Sequence, residues 1–302
     1  MSDLKKREDH ENYRGIEQVY REEKTHWVGT AFKVANYFPE GGHFDLQRFS
    51  PFVLMDYNYP IEFKPGLSQK TSGPHPHRGL ETVSIVFEGA LEHRDNAGNS
   101  GVVTAGEVQW MSTGSGILHK ETHAQDFTRS GGTLHALQLW LNIPSASKSD
   151  PPSYQRITEG DMGKVTLPGG SVRVVAGIYN GVTGPARTYR PLNIFIVDLR
   201  ADGVVLFREP EDFNTGILVI QGSVTVNKAA AGSRGDFILF NNESGDIRIK
   251  GGDMGARLVV LSGEPINEPV VAQGTFVMTS QEEIDQANDD YRAGVFGSID
   301  FY

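Results

Sequence analysis

The apolar runs of this chain are short, and glycine or proline interrupts nearly all of them. The 302 residues include 35 glycines and 15 prolines. "TVSIVFEG", "ALEHRDNAGN", "GVVTAGEVQWMSTG" and "TLHALQLWLNIP" read as successive strands, with turns at Glu88-Gly89, Ala97-Gly98 and Ala105-Gly106. A second series follows: "SVRVVAG", "LNIFIVDLR", "TGILVIQGSVTVN", "RGDFILFN" and "ARLVVLSG". Between the two series lies "IPSASKSDPPSY", residues 143–154, rich in Ser and Pro and without period, which reads as a linker. The one strong helix signal is close to the end. Ser280 and Glu283 fit a capping box, Ile284, Ala287 and Tyr291 share a helical face, and Gly294 can stop the helix.

A weak repeat links the two series. "VFEGAL" (86–91) resembles "VIQGSV" (219–224), and "AGEVQWM" (105–111) resembles "RGDFILF" (234–240), at offsets of 133 and 129 residues. The expected fold is therefore all-β, with two small barrels in tandem. The first spans residues 1–148; the second spans residues 149–302 and carries a short helix at about 281–293.

Composition narrows the chemistry. Cysteine is absent, which removes disulfides, thiolate metal sites and thiol nucleophiles together. The net charge is −10, and no cluster of Lys and Arg suits a duplex, so direct nucleic-acid binding is not expected. No apolar run approaches the roughly 18 residues of a membrane span, and "MSDLKKREDHENYRGIEQ" lacks the apolar core of a secretory signal. The expected location is cytoplasmic, or nuclear if the source has a nucleus.

All nine histidines lie in the first 135 residues. His75 and His77 stand one residue apart, so an extended chain points both imidazoles the same way. His119 and Glu121 in "GILHKETH" repeat the arrangement about one hairpin later. Antiparallel pairing brings such dyads opposite each other. Three imidazoles and a carboxylate suit Fe(II), and also Zn, Mn, Ni, Co or Cu. In an octahedral ion they leave two positions for O₂, water or a substrate oxygen. His93 can steady a ligand from behind or sit on the surface, and so can His123. His135 alternates with leucines and reads as a core histidine. Trp110, Met111 and Trp140 read as barrel packing. Arg78 reads as charge near the mouth of the site. His10, His26 and His43 show no partner pattern.

At "HPHRGLETVSIVFEGALEHRDNAGNSGVVTAGEVQWMSTGSGILHKE" the chain resembles the pirin family, a branch of the cupin superfamily. "RFSPFVLMDY", "LHALQLWLNIP" and "GARLVVLSGEPINEPVVAQGTFVM" are similar to pirins too. The resemblance implies two cupin (double-stranded β-helix, or jelly-roll) barrels with iron in the first only. It places the family's ligands on His75, His77, His119 and Glu121. The glutamate that general cupins carry five residues after the HxH pair is replaced here by Thr82; Glu81, one residue earlier, is expected to face outward. In the second copy Arg208, Pro210, Arg248 and Lys250 take the ligand positions, and cations there repel a metal.

Two functions follow from the resemblance. One is a quercetin 2,3-dioxygenase-type enzyme that takes a flavonol and O₂ to a ring-opened ester and CO, with Glu121 accepting the substrate's hydroxyl proton. The other is a metal-dependent co-regulator that acts on a protein partner without physiological catalysis. A metal that only stiffens the barrel is the plainest reading.

Overall fold

The computed structural model describes residues 12–21, 23–39 and 45–298. His10 and His43 lie outside these residues. The chain forms two compact units. One comprises the described residues up to Arg21 with Gly163–Pro185 and Pro191–Pro265; the other comprises the described residues from 23 to 162 with Ala186–Arg190 and the described residues from Ile266 onward.

The unit built mainly from the first half carries the histidines. Its seven-stranded sheet runs in the order Ser153–Ile157, Val108–Ser112, Leu80–Glu88, Gly132–Asn142, Phe52–Phe63, Phe32–Phe38, His26–Val28. A second sheet of four strands runs His75–His77, Ile117–His123, Ala90–Asp95, Ser100–Thr104. Val86, Phe32 and Leu134 from the large sheet pack with Leu91 and Val103 from the small one, so the two sheets enclose one apolar core. The other unit is a nine-stranded sheet around Val172, Phe195, Ile217, Ile238 and Val260, all fully buried.

The glycines matched by the internal repeat share one conformation. Gly89 and Gly222 have φ of 86° and 73°, and Gly106 and Gly235 have 90° and 88°. L side chains rarely adopt this region, which is why each strand pair turns at glycine in both copies.

The N-terminal residues add a strand to the second-half sheet. Ile16–Arg21 pairs antiparallel with Asp236–Phe240. Arg14 anchors it. The residue is fully buried, and its guanidinium donates to the carbonyls of Asn241, Phe213 and Pro210 at 2.6, 2.6 and 3.0 Å.

Residues 143–154 depart from the linker reading. Ile143 is fully buried, Ser145–Ser147 forms a 3₁₀ turn, and Ser153–Ile157 pairs with Val108–Ser112 as an edge strand of the first-half sheet. Ser and Pro mark a loss of period there, not a loss of contact. The C-terminal tail also departs from a simple cut at residue 148. Phe276, Met278, Ile284, Ala287 and Phe296 form a cluster against Leu118, within the histidine-bearing unit. The helix Gln281–Arg292 is capped by Ser280, whose Oγ accepts the Glu283 N–H, while the Glu283 carboxylate accepts the Thr279 N–H at 2.8 Å. Ile284 and Ala287 are buried, whereas Tyr291 is 43% exposed.

Glu81 does not face water. It is 3% exposed, and Val83 and Ile85 on the same face of its strand are fully buried. Strand alternation does turn it away from the histidines, but that side of the wall is covered. Burial pushes its carboxyl up to about 8. The folded protein therefore holds a proton that the unfolded chain releases above about 4.5. The stability tied to this proton is complete below about pH 4.5, declines as pH rises, and is gone above about 8. Glu81→Gln has no proton to lose. At pH 8 it is expected to exceed the wild type by up to about 4–5 kcal/mol, with the difference vanishing near pH 4. Urea midpoints of both proteins across pH 4–8 measure this; parallel profiles would refute it.

Among the described residues, no helix is long and apolar enough to cross a membrane.

Candidate metal centre

Register builds the site. The strand His75–His77 pairs antiparallel with Ile117–His123, which sets His75 opposite His119 and His77 opposite Ile117. On its other side Ile117–His123 pairs with Ala90–Asp95, which sets His119 opposite Asp95 and Glu121 opposite His93. Opposed residues share a face, so His75, His77, His93, Asp95, His119 and Glu121 all project from one face of the small sheet.

Three of them converge. Ligand-capable atoms of His75, His77 and His119 lie within 4.8 Å of one another. His75 Nε2 and His119 Nε2 are 3.0 Å apart. Two imidazoles sharing one ion at about 2.0–2.1 Å each stand about 3 Å apart when they bind at a right angle. His77 and His119 are each 1% exposed and His75 is half-buried, so the cluster opens on the His75 side. Burial, and then the neighbouring imidazoles, hold His77 and His119 well below the usual histidine range. Both rings are thus neutral near pH 7, the form that binds metal.

Hydrogen bonds fix which nitrogen is bare. Carbonyl oxygens only accept, so the ring nitrogens facing them carry the protons. His75 Nδ1 donates to Gly73 O at 2.9 Å and His77 Nδ1 to Thr275 O at 3.0 Å. Each Nε2 is left with its lone pair toward the cluster. His119 Nδ1 lies 3.4 Å from His93 Nδ1, and His93 Nε2 lies 3.1 Å from Asp95 Oδ2. The clustered imidazoles present ring nitrogens that a cation can take up. The donor set fits a borderline divalent metal.

Glu121 is held elsewhere in the same cavity, outside that group of three. Its Oε1 accepts from Ser84 Oγ at 3.2 Å and from Gln109 Nε2, and its Oε2 accepts from Gln138 Nε2 at 2.8 Å. Ser84 stands directly between Gln109 and Gln138 on three adjacent strands. These residues escape a reading aimed at metal ligands. Their signal is a polar residue in the apolar strands "VSIVF", "VQWM" and "LQLW". The cavity lined by Glu121, His75, Ser84, Gln138, Val28 and Phe32 holds about 40 Å³. Water or O₂ fits that space, whereas pockets for drug-sized ligands run to about 300–1,000 Å³. A flavonol therefore needs Val28, Phe32 and their neighbours to move aside.

The remaining candidates resolve by contact. His93 is 1% exposed, which rules out the surface reading. His123 is equally buried; its Nε2 bonds Ala31 O at 2.9 Å and its ring packs on Phe63 and Phe127, so it belongs to the core and neither to the surface nor to the ligand set. His135 bonds Tyr57 Oη at 2.7 Å in the core, as its spacing suggests. Trp140 packs edge-on against His77 at 5.0 Å. Arg78 does not charge the mouth. It pairs with Asp290 at 2.7 Å and lies over the Phe296 ring, tying the C-terminal helix down.

The family model described as pirin matches residues 31–141, and that of the pirin C-terminal cupin domain matches residues 194–297. A Pseudomonas aeruginosa protein provisionally named a quercetin 2,3-dioxygenase is 40% identical over 281 residues, covering 92% of this chain and 96% of that protein. Pirin-1 of Arabidopsis thaliana is 33% identical over 252 residues, covering 82% and 84%. The crystal structure titled quercetin 2,3-dioxygenase from Acinetobacter baumannii superposes with a TM-score of 0.89 at 36% identity, over 95% of this chain and 100% of that one. With both domain models matched and relatives of this similarity along nearly its whole length, the chain belongs to the pirin family of cupin proteins.

Proposed function

We propose that the protein is a non-haem metal dioxygenase acting on quercetin-like flavonols, with Fe(II) held by His75, His77, His119 and Glu121. The observation that carries the reading is the convergence of ligand-capable atoms of His75, His77 and His119 within 4.8 Å, with Glu121 lining the same small cavity as His75. The names of the relatives point to the same chemistry. When bound, the ion supplies O₂ chemistry and polarises a substrate hydroxyl. The protein's own part is to present three oriented imidazoles, exclude water from a largely buried edge, and accept the hydroxyl proton at Glu121. Ser84, Gln109 and Gln138 hold that carboxylate close to the histidines until it moves to the ion.

The test is reconstitution of the metal-free protein with Fe(II) under argon, then quercetin and air. Loss of the flavonol's visible absorbance with CO release is expected. Glu121→Gln is expected to cut turnover by about 10²–10⁴-fold, the usual weight of a general base. His123→Gln, which alters a core contact only, should keep both metal and turnover. A wild type that binds iron and leaves quercetin intact would sink the enzyme reading.

One observation favours a second reading. A space of about 40 Å³ beside the histidines suits a metal that senses O₂ or oxidation state better than one that holds a flavonol. On this reading the protein is a metal-dependent regulator that docks on another protein. Tight metal binding, no flavonol turnover and metal-dependent capture of a defined partner would establish it.

A further inference from the structure

We propose that Asp95 and His93 form a buried relay that positions the His119 imidazole and strengthens its hold on a metal. The inference rests on the metal-centre reading above and extends it to two residues behind the ligands. His93 Nδ1 lies 3.4 Å from His119 Nδ1, and His93 Nε2 lies 3.1 Å from Asp95 Oδ2. All three residues are nearly or fully buried, at 1%, 1% and 7% exposure. A carboxylate has no proton to give, so the proton between Asp95 and His93 sits on His93 Nε2. His93 Nδ1 is then a bare acceptor, and the proton between the two histidines sits on His119 Nδ1. Asp95 thereby dictates, through one intervening ring, that His119 offers Nε2 to the cluster. The arrangement also passes negative charge toward His119, which makes a ligand nitrogen a better donor.

The fold keeps the relay rigid. Asp95 is fixed by the turn it caps: its Oδ1 accepts the N–H groups of Ala97 and Asn99 at 3.0 and 2.9 Å. The His93 ring is covered by Tyr154, stacked at 4.8 Å and 12°. The residue opposite His93 on the next strand is Gly101, and a Cβ there would lie 2.7 Å from Tyr154 Oη. Glycine at 101 makes room for the tyrosine, and the tyrosine covers one face of the His93 ring. His75 and His77 each get their orientation from a backbone carbonyl. His119 alone gets it from a charged group, so its donor strength depends on two replaceable side chains.

The test uses the full chain stripped of metal, titrated with Co(II) against a chromophoric chelator, with the visible Co(II) bands recorded. His93→Phe preserves the stack on Tyr154 and removes the acceptor for His119. It is expected to weaken Co(II) binding by about 10–100-fold and to shift the Co(II) bands, while the metal-free protein melts within a few degrees of wild type. Asp95→Asn keeps the shape but puts an N–H donor where Oδ2 accepted, which reverses both tautomers, and should move affinity and bands in the same direction by at least as large a factor. It also covers the case in which His93→Phe fails to fold. Affinities within about threefold of wild type and unchanged bands in the folded variants would overturn the relay. His119→Ala separates the two proposals: if it leaves Co(II) binding intact, the metal centre itself is misplaced, whereas loss there with no effect at His93 and Asp95 rejects the relay alone.

Discussion

His119→Ala is expected to leave the folded protein without its metal. His119 is the proposed ligand that sits in both strand pairings, opposite His75 on one side and Asp95 on the other. One imidazole of a four-ligand site accounts for roughly a quarter of the about 10–16 kcal/mol that a structural metal contributes, so affinity should fall by on the order of 10²–10³-fold. The same change removes metal-linked stabilisation. At metal concentrations 100 times Kd the wild type gains about 2.7 kcal/mol over its metal-free form, and the variant should gain close to nothing. Melting curves with and without Fe(II), Zn(II) or Co(II) show both effects. Equal shifts in wild type and variant would mean that the metal binds elsewhere.

Lys148→Met is expected to cost about 2–4 kcal/mol although the residue touches no ligand. Lys148 is 4% exposed, and its Nζ donates to Gly79 O, Asn142 Oδ1 and Val277 O at 2.7, 2.7 and 2.8 Å. Burial lowers its ammonium to about 8, so it remains charged at pH 7 with all three donors used. Methionine fills the volume and leaves three oxygens without a donor, each worth about 1–3 kcal/mol when buried and unpaired. The relief of burying a charge offsets part of this. The loss corresponds to a drop of about 4–16 °C in Tm for a chain of this size class. Gly79 lies two residues beyond His77, and Val277 lies two residues beyond the Thr275 carbonyl that orients His77. A weaker metal affinity should therefore accompany the lower Tm. Unchanged stability would show that Lys148 is not the clamp described.

How far the sequence could be read depends on what each residue's signal was. His75, His77 and His119 were legible because strand alternation is a rigid geometric rule, and a pair of dyads one hairpin apart leaves few other arrangements. The same rule correctly turned Glu81 away from the cluster. It could not say whether that face meets water, because burial is set by chain far away in sequence. Ser84, Gln109 and Gln138 each look like an ordinary polar substitution until three strands are laid side by side. Asp95 and Tyr154 were invisible for a like reason: His93 acquires its meaning from a residue two positions on and from a strand some 60 residues later. The C-terminal segment is the clearest case. Its capped helix was readable locally, yet its packing against Leu118 and its Thr275 carbonyl on His77 are long-range facts that no local pattern encodes.

The most direct test is anomalous diffraction at the iron edge from crystals grown with ferrous salt. The account predicts one strong peak about 2.0–2.3 Å from the Nε2 atoms of His75, His77 and His119, with a Glu121 oxygen swung out of its serine and glutamine contacts to join them. A peak elsewhere in the chain, or none with iron in excess, would contradict it.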